Sequence, residues 1–562
     1  MKILGISLGH DTNFCLVENG NVVEVIEAER FFRQKRYKLH CVSMEESPQA
    51  SGFQYTKISE LKLLLKNIIS KWGSKYDYVA VQNQKREQEF ENLKTLMSEF
   101  SYKDIINLNH HLCHAAGSFF TSPFKESVIL SYDGAGNDGN TVILRGKNSK
   151  IEYLNSYSLK FGNSYNNLGY ICNISPDISG TTSGKTMGLT SYGKAIDEWL
   201  PFLEKHILSY EKKPPRKAAE INPYGKCHTI NWNYISEIEE IKPFINKDGT
   251  SSLSITDQVA QNICKTMQTA WTNCILRLLN QYSDISKNLC ITGGCALNGV
   301  TNYKIQQQNI FENQYFVPNP TDCGLSIGAA LYVYYKKSKE SFSGNKEYFA
   351  PYLGEEVYDK DKLSELKSTY NNISYDKKSI PAKLASLICK NKIVGVIKGR
   401  YEIGPRALGN RSILCNSQNK EMRDILNHKV KHREWYRPFA PVCTAEDSSK
   451  YFTNTKDIPY MSVICYTRDQ YREHLPSITH VDGSCRLQTV TEDQHEFLYK
   501  VLKEIESQNG HPIVLNTSFN PAGEPIVNYY EAALEMLKTT DLDYVLIEDT
   551  FFWLKSEEEA KE

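Results

Sequence analysis

The sequence predicts an α/β protein with an internally duplicated N-terminal half, and three observations predict it. Apolar strand-like runs alternate with helical periods along most of the chain. The stretch SVILSYDGAGNDGNTVILRGKNSKIEYL echoes ILGISLGHDTNFCLVENGNVVEV: each has a buried strand, a Gly/Asp loop, a strand, a turn and a third strand. After residues 336–378, rich in Lys, Ser, Glu, Asn and Tyr and poor in large aliphatics, a second α/β pattern begins. Two strand–loop–strand units in one domain point to the actin-like, ribonuclease-H-type duplication, whose paired loops clasp a nucleotide's phosphates. The expected division is a domain over 1–345, a linker over 346–378 and a second domain over 379–562.

The elements follow in order. Residues 2–8 read as a strand and GHDT as a turn. Residues 13–18 read as a second strand, Asn19-Gly20 as a tight hairpin turn and 21–27 as a third strand. The spacing of ISELKLLLKNIISKW predicts a helix over 58–72, and 77–81 reads as a short buried strand before helix near 86–99. Residues 155–250 give no clean period, and EKKPPRK (211–217) reads as an exposed loop. A long amphipathic helix is expected over 253–282. NLCITGGCALNGV reads as strand, Gly-Gly turn and helix start. In the second half, helix is expected near 380–391 and 495–508, with strands at KIVGVIKG and PIVLNTSF.

Bulk properties exclude several classes. The 562 residues carry 66 Lys+Arg and 66 Asp+Glu, so no basic excess favours nucleic acid or an anionic membrane. MKILGISLGHD lacks the apolar core of a signal peptide, and no run approaches a membrane span. The 15 cysteines form no CxxC pair, which fits buried thiols in a reducing cytoplasm.

Chemistry concentrates in LNHHLCHAAGSFFTSPFKESVILSYDGAGNDGNT. His110 and His114, four apart on a helix, share one face. A strand then delivers Asp133 to a glycine-rich loop, completing three candidate ligands for a divalent metal. Asp322, before a glycine-started helix, is either a fourth ligand or a helix cap. The residue after His110 is His111, so the HExxH pattern of a metalloprotease is absent. Glycines in DGAGNDG and TGGCALN suit close approach to phosphate. In the second half, Arg400, Arg406, Arg411, Lys429, Lys431, Arg433, Arg437 and Arg486 lie near glycines and aromatics, as in a pocket for a small polyanion.

These residues carry a family resemblance. HHLCHAAGSFFTSPF, SYDGAGNDG, GKTMGLTSYG, TGGCALN, GRYEIGPRALGNRSIL, LNHKVKHREWYRPFAPV and LNTSFNPAGEPIV resemble the O-carbamoyltransferases of natural-product and nodulation-factor biosynthesis, the NodU/CmcH/TobZ type. The resemblance covers nearly the whole chain. It implies an actin-like transfer domain, as in tRNA threonylcarbamoylation enzymes, followed by a YrdC-like activation domain. It implies that carbamoyl phosphate and ATP, with Mg as ATP's counter-ion, form carbamoyl adenylate in the second domain. The first domain then passes the carbamoyl group to a hydroxyl of a small-molecule acceptor beside iron(II) or a similar divalent metal. The implied metal ligands are His110, His114, Asp133 and Asp322. The implied catalytic pair is His10 and Asp11, with His10 as general base. Implied nucleotide contacts are Gly134, Gly136, Asn137, Lys185, Gly293, Gly294 and Asn298. The implied activation pocket is Arg400, Arg406, Arg411, Lys429, Lys431, Arg433, Arg437 and Arg486, with Asn516 and Asn520. No nucleic-acid or membrane partner is expected, and oligomeric state is not readable from the sequence.

This chain departs from the resemblance at LGHDT, SGTTS and TSYG, which border the implied acceptor site and leave the acceptor open. Alternatives are an actin-fold small-molecule kinase, which needs no YrdC-like half, and a tRNA- or hydrogenase-maturation-type carbamoylation factor. A maturation factor of that kind normally carries CxxC zinc motifs, absent here.

Overall fold

The computed structural model describes residues 1–41, 44, 57–82, 87–134, 139–176, 181–208, 235–246, 250–356, 359–454 and 456–554. They form two compact units, Met1–Phe349 and Ala350–Glu562. The EKKPPRK segment lies outside the described residues.

The first unit holds the same sheet twice. Strands β1 (Lys2–Ser7), β2 (Asn13–Glu18), β3 (Asn21–Glu27), β4 (Tyr78–Gln82) and β5 (Asp104–Leu108) form one sheet in the order β3-β2-β1-β4-β5. Strands β6 (Glu126–Tyr132), β7 (Thr141–Lys147), β8 (Lys150–Tyr157), β9 (Asn288–Thr292) and β10 (Asn313–Phe316) form the other, in the order β10-β9-β6-β7-β8. In each, the first strand pairs antiparallel with the second and parallel with the fourth. This is the duplication the sequence echo predicts. Both β2–β3 turn residues have positive φ (Asn19 49°, Gly20 81°), the requirement of a twist-matched two-residue hairpin. The equivalent turn between β7 and β8 uses Asn148 at φ 53°.

Helix Ile58–Trp72 buries Ile58, Leu61, Leu64, Leu65, Ile68 and Trp72, the 3.6-residue stripe expected of an amphipathic surface helix. Helix His110–Thr121 starts at Asn109, whose side chain accepts from the His111 N–H. It is buried almost all round, because helix Leu325–Ser338 crosses it closely. A Cβ on Gly328 would overlap the Cys113 carbonyl and also meet the Gly117 N, so only a bare Cα permits that crossing. The crossing brings the N-terminal ends of the two helices together.

The second unit is built on one mixed sheet. Its strands are β11 (Asn371–Ser374), β12 (Val394–Ile397), β13 (Arg411–Asn416), β14 (Ala440–Thr444), β17 (Gln488–Val490), β18 (Ile513–Ser518), β19 (Tyr544–Ile547) and β20 (Thr550–Trp553). Their order is β11-β20-β19-β12-β13-β18-β14-β17, and a short pair, β15 (Cys465–Tyr466) with β16 (Ser484–Cys485), lies apart. The core includes Ile413, Cys415, Leu515, Phe519, Val545 and Phe552.

The stretch 346–378, expected as a linker, differs. It contains helix Lys360–Thr369 and β11, which pairs with β20 at the edge of the second unit's sheet. Its poverty in aliphatics reflects that edge position: the helix buries only Leu363.

Candidate functional site

Four side chains from three places in the first unit converge. His110 and His114 come from the first turns of helix His110–Thr121. Asp133 follows β6, and Asp322 precedes helix Leu325–Ser338. One ligand atom from each lies within 4.8 Å of all the others. His114 Nε2 is 3.1 Å from Asp133 Oδ2 and 3.5 Å from Asp322 Oδ1; His110 Nε2 is 3.6 and 3.8 Å from the same two oxygens.

The donor set fits a divalent cation. His110 Nε2 is buried and has no hydrogen-bond partner among the described residues, although it faces two carboxylates. Two imidazoles and two carboxylates, without thiolate, suit iron(II), manganese or zinc. Burial pushes the Asp133 carboxyl up, but the His110 and His114 imidazoles outweigh it and hold it well below the usual range. Burial likewise lowers His114, and Asp133 and Asp322 outweigh it, raising the imidazole to about 9. Asp322 also stays ionised: burial opposes this, while His10 and His110 favour it. The cluster is therefore held together by charge that a cation could take over.

The loops expected to face phosphate serve this cluster. Gly134 N–H donates to Asp133 Oδ1 (2.5 Å), and Gly294 N–H donates to Asp133 Oδ2 (3.2 Å). Gly293, at φ 89°, lies so close to β6 that a Cβ would overlap the Tyr132 carbonyl. Asn298 caps the next helix, accepting from Thr301 N–H (3.1 Å), while its amide donates to Gln268 (3.0 Å). Lys185 is half-buried in helix Ser183–Leu189. Gly136 and Asn137 lie outside the described residues.

His10 and Asp11 border the cluster. His10 Nδ1 is 3.0 Å from Asp11 Oδ2, and Nε2 is 3.3 Å from Asp322 Oδ2. Asp322 pulls the His10 imidazole up to about 9 against the effect of burial, and Asp11 adds to the pull. Solvent reaches 48% of that side chain and screens the attraction.

Three partners of the cluster escaped sequence reasoning. Asn13, on β2, donates to the Asp322 carbonyl (2.8 Å) and accepts from Ser326 N–H (3.1 Å), fixing the start of the Leu325–Ser338 helix. Gln82 Nε2, at the end of β4, lies 3.4 Å from His110 Nδ1, and Ser7 Oγ donates to Gln82 Oε1 (3.1 Å). Fully buried His111 bridges Ser131 Oγ (2.8 Å) and the Gly139 carbonyl (3.0 Å); burial, then His110 and His114, lower it to about 4, so it is neutral. Their one visible signal was position, at strand ends or inside the histidine motif.

In the second unit the basic residues divide by what they touch. Arg406, Arg433, Arg437 and Arg486 form a linked guanidinium cluster. Burial, then Arg437, lowers Arg406 to about 10; burial and Arg437 hold Arg433 well below the usual value, and burial and Arg406 do the same to Arg486. Arg406 Nε is buried with no hydrogen-bond partner among the described residues. The carboxylate recorded against this cluster is Glu434, 3.4 Å from Arg437. Arg433 is oriented by Asn427 Oδ1 (2.7 Å) and lies over the Phe439 ring, and Arg486 donates to the Met461 carbonyl (2.9 Å). Repelling, desolvated guanidiniums of this kind are relieved by a polyanion.

The other basic residues hold the fold. Fully buried Arg411 donates to the carbonyls of Lys398 (3.1 Å), Asn410 (2.9 Å) and Gly399 (3.0 Å). Arg400 donates to the Gly354 (2.8 Å) and Leu353 (2.9 Å) carbonyls. Lys431 donates to the carbonyls of Ser518 and Asn520 and to Asn520 Oδ1, each at 2.7 Å. Lys429 pairs with Asp541 at the surface (3.1 Å). Asn520 donates to the Glu524 carbonyl (2.6 Å), and Asn516 donates to Ala407 O (3.0 Å) while its buried Oδ1 has no partner among the described residues. Arg411→Met should therefore destabilise the second unit by on the order of 3 kcal/mol, since buried carbonyls lose their donor. Arg411→Lys should recover only part, because an ammonium cannot fork. Urea unfolding of the full chain measures both.

The chain is similar to an uncharacterized protein of Synechocystis sp., 28% identical over 97% of this chain and 96% of that protein. It is similar to Nodulation protein NolNO of Sinorhizobium fredii, 28% identical over 96% of this chain and 78% of that protein. Among solved structures, full-length HypF in its phosphate- and nucleotide-bound form shares 13% identity over 59% of this chain and 55% of that one, at a TM-score of 0.33, too slight a likeness to bear on function. The family description "Carbamoyltransferase N-terminus" matches residues 2–331, and "Carbamoyltransferase C-terminus" matches residues 385–553. The chain belongs to the carbamoyltransferase family.

Proposed function

We propose that the protein is an ATP-dependent O-carbamoyltransferase acting on a hydroxyl of a small molecule, a natural product or a sugar. The observation that carries this reading is the presence of two unlike sites in one chain. The first unit holds the buried His110/His114/Asp133/Asp322 cluster, and the second holds the Arg406/Arg433/Arg437/Arg486 cluster.

In the second unit, the guanidiniums bind the phosphates of ATP and carbamoyl phosphate. Together with water these give carbamoyl adenylate, pyrophosphate and phosphate. The reaction places several anionic groups side by side, and the four guanidiniums offset their repulsion. Asn516 Oδ1 is an acceptor available to the carbamoyl N–H groups.

In the first unit, His110, His114, Asp133 and Asp322 would hold iron(II) or a similar divalent ion, which supplies Lewis-acid polarisation of the carbamoyl oxygen. Asp11 accepts from His10 Nδ1–H and leaves Nε2 as the face that takes the acceptor's proton. The acceptor oxygen forms the new C–O bond as AMP leaves. With Asp322 ionised and no cation beside it, His10 favours its protonated form. Its service as a base therefore needs Asp322's charge engaged elsewhere.

His10→Ala should leave activation intact and lower transfer by roughly 10²–10⁴-fold. Separate assays of pyrophosphate release and product formation check this. The reading as a whole is tested by incubating the protein with ATP and carbamoyl phosphate. Pyrophosphate release that requires carbamoyl phosphate supports it, whereas ADP as the nucleotide product points to a kinase. A mass-spectrometric screen of hydroxylated compounds for a carbamoyl mass gain then identifies the acceptor.

A further inference from the structure

The Gln82 side chain is 3% exposed and sits between two groups on different elements. One end of its amide is 3.1 Å from Ser7 Oγ on β1, and the other is 3.4 Å from His110 Nδ1. The opposite ring nitrogen, His110 Nε2, faces Asp133 Oδ2 and Asp322 Oδ1 and has no hydrogen-bond partner among the described residues. These contacts fix what the imidazole must do to bind a cation. Nε2 needs a free lone pair, so in the neutral ring the proton must sit on Nδ1. Nδ1–H then needs an acceptor, and the group within reach is the Gln82 amide.

We infer that Gln82 is a positioning residue that sets the His110 tautomer for metal binding, with Ser7 holding the other end of the amide. This rests on the metal reading of the His110/His114/Asp133/Asp322 cluster. A half-turn of the amide exchanges Oε1 and Nε2 between the same two neighbours. In the metal-binding arrangement Oε1 accepts from His110 Nδ1–H, and Nε2–H donates to Ser7 Oγ. The serine hydroxyl can accept or donate, so it accommodates either direction. No bond is made or broken; one proton resides on Nδ1 rather than Nε2. The relay also joins β1, β4 and helix His110–Thr121 through side chains that are nearly or fully excluded from water, so His110 is held in place as well as in tautomer.

The inference assigns opposite behaviour to two substitutions of similar size. Gln82→Leu removes the acceptor, and Gln82→Glu supplies a stronger one that cannot donate. Affinity is measured on the full chain by titration with zinc(II), and anaerobically with iron(II), in competition with a chelator. Gln82→Leu should bind about 10–100-fold more weakly, the usual cost of losing the outer partner of a ligating histidine. Gln82→Glu should bind within about threefold of wild type or more tightly, since a carboxylate behind a ligating imidazole raises its basicity. If Gln82 instead donates to Nδ1, it opposes the metal-binding tautomer, so Gln82→Leu binds as tightly as wild type or more tightly, and the inference is overturned; a loss of affinity in Gln82→Glu beyond about threefold overturns it as well. Should Gln82→Leu fail to fold, Gln82→Met, of similar size and also without the acceptor, is measured in its place and should bind about 10–100-fold more weakly. A wild-type protein that binds neither cation overturns the metal reading itself, a result distinct from every outcome that separates the variants.

Discussion

His114→Ala is expected to abolish carbamoyl transfer while carbamoyl-phosphate-dependent pyrophosphate release continues at the wild-type rate. His114 Nε2 lies 3.1 Å from Asp133 Oδ2 and 3.5 Å from Asp322 Oδ1, closer to each oxygen than His110 Nε2, and it is buried. Its removal leaves Asp133 and Asp322 facing each other across a space that a cation can no longer fill with four ligands. Transfer should drop by more than about 100-fold, the upper end for losing merely the outer partner of a metal ligand. Metal content should fall in parallel and should be absent from the His110→Ala/His114→Ala double variant. Paired assays with elemental analysis of anaerobically purified protein provide the check. Loss of pyrophosphate release in His114→Ala would show that the two chemistries are not divided between the two units.

Arg406→Ala should have the complementary effect, losing pyrophosphate release and product together. Its Nε is buried without a partner among the described residues, and Arg437 and Arg486 are its charged neighbours. A buried charged contact to phosphate is worth about 2–5 kcal/mol, so activation should fall by roughly 30- to 4,000-fold. The stability effect should have the opposite sign from that of Arg411→Met. Removing one guanidinium from a repelling set relieves strain, so Arg406→Ala should melt at or above the wild-type temperature. Calorimetry beside the activity assay separates the cases. A lowered melting temperature would make Arg406 a structural residue like Arg411.

The fold was legible because its signals are local and repeated. Asn19-Gly20 and Asn148 mark equivalent hairpins in the two sheets, and the alternation around them gives the same strand order twice. The four-residue cluster was legible for a similar reason: HxxxH, a strand-end Asp and a helix-start Asp each announce a position near an element's end. What lay between those ends was not. Gln82 reads as one more residue of a buried strand, and Asn13 as a strand start; their roles exist only once β1, β2, β4 and two helices have assembled.

The arginines show a different limit. Arg406 and Arg411 stand five positions apart in one motif, yet one faces other guanidiniums and the other lies on main-chain carbonyls. Motif membership reports that a residue matters and is silent on whether it meets a ligand or the backbone. The 346–378 stretch misled for a compositional reason. An edge helix with one buried leucine looks like a linker when its partner strand is far away in sequence.

The Gly328 crossing has a mechanical consequence. Helix Leu325–Ser338 is tied to β2 through Asn13, so Asp322 travels with the first sheet, while Asp133 leaves the second sheet and the two histidines ride on the helix between them. A cation on these ligands would be a cross-link between the two duplicated lobes. It would close a chain loop from His110 to Asp322, more than half of the unit, and clips that close long loops restrict the unfolded chain most. Removing such a cation would then act on more than chemistry: the lobes would be held by the packing of the two crossing helices without the cross-link, and segments joining them should become protease-sensitive at temperatures where the loaded protein resists cleavage.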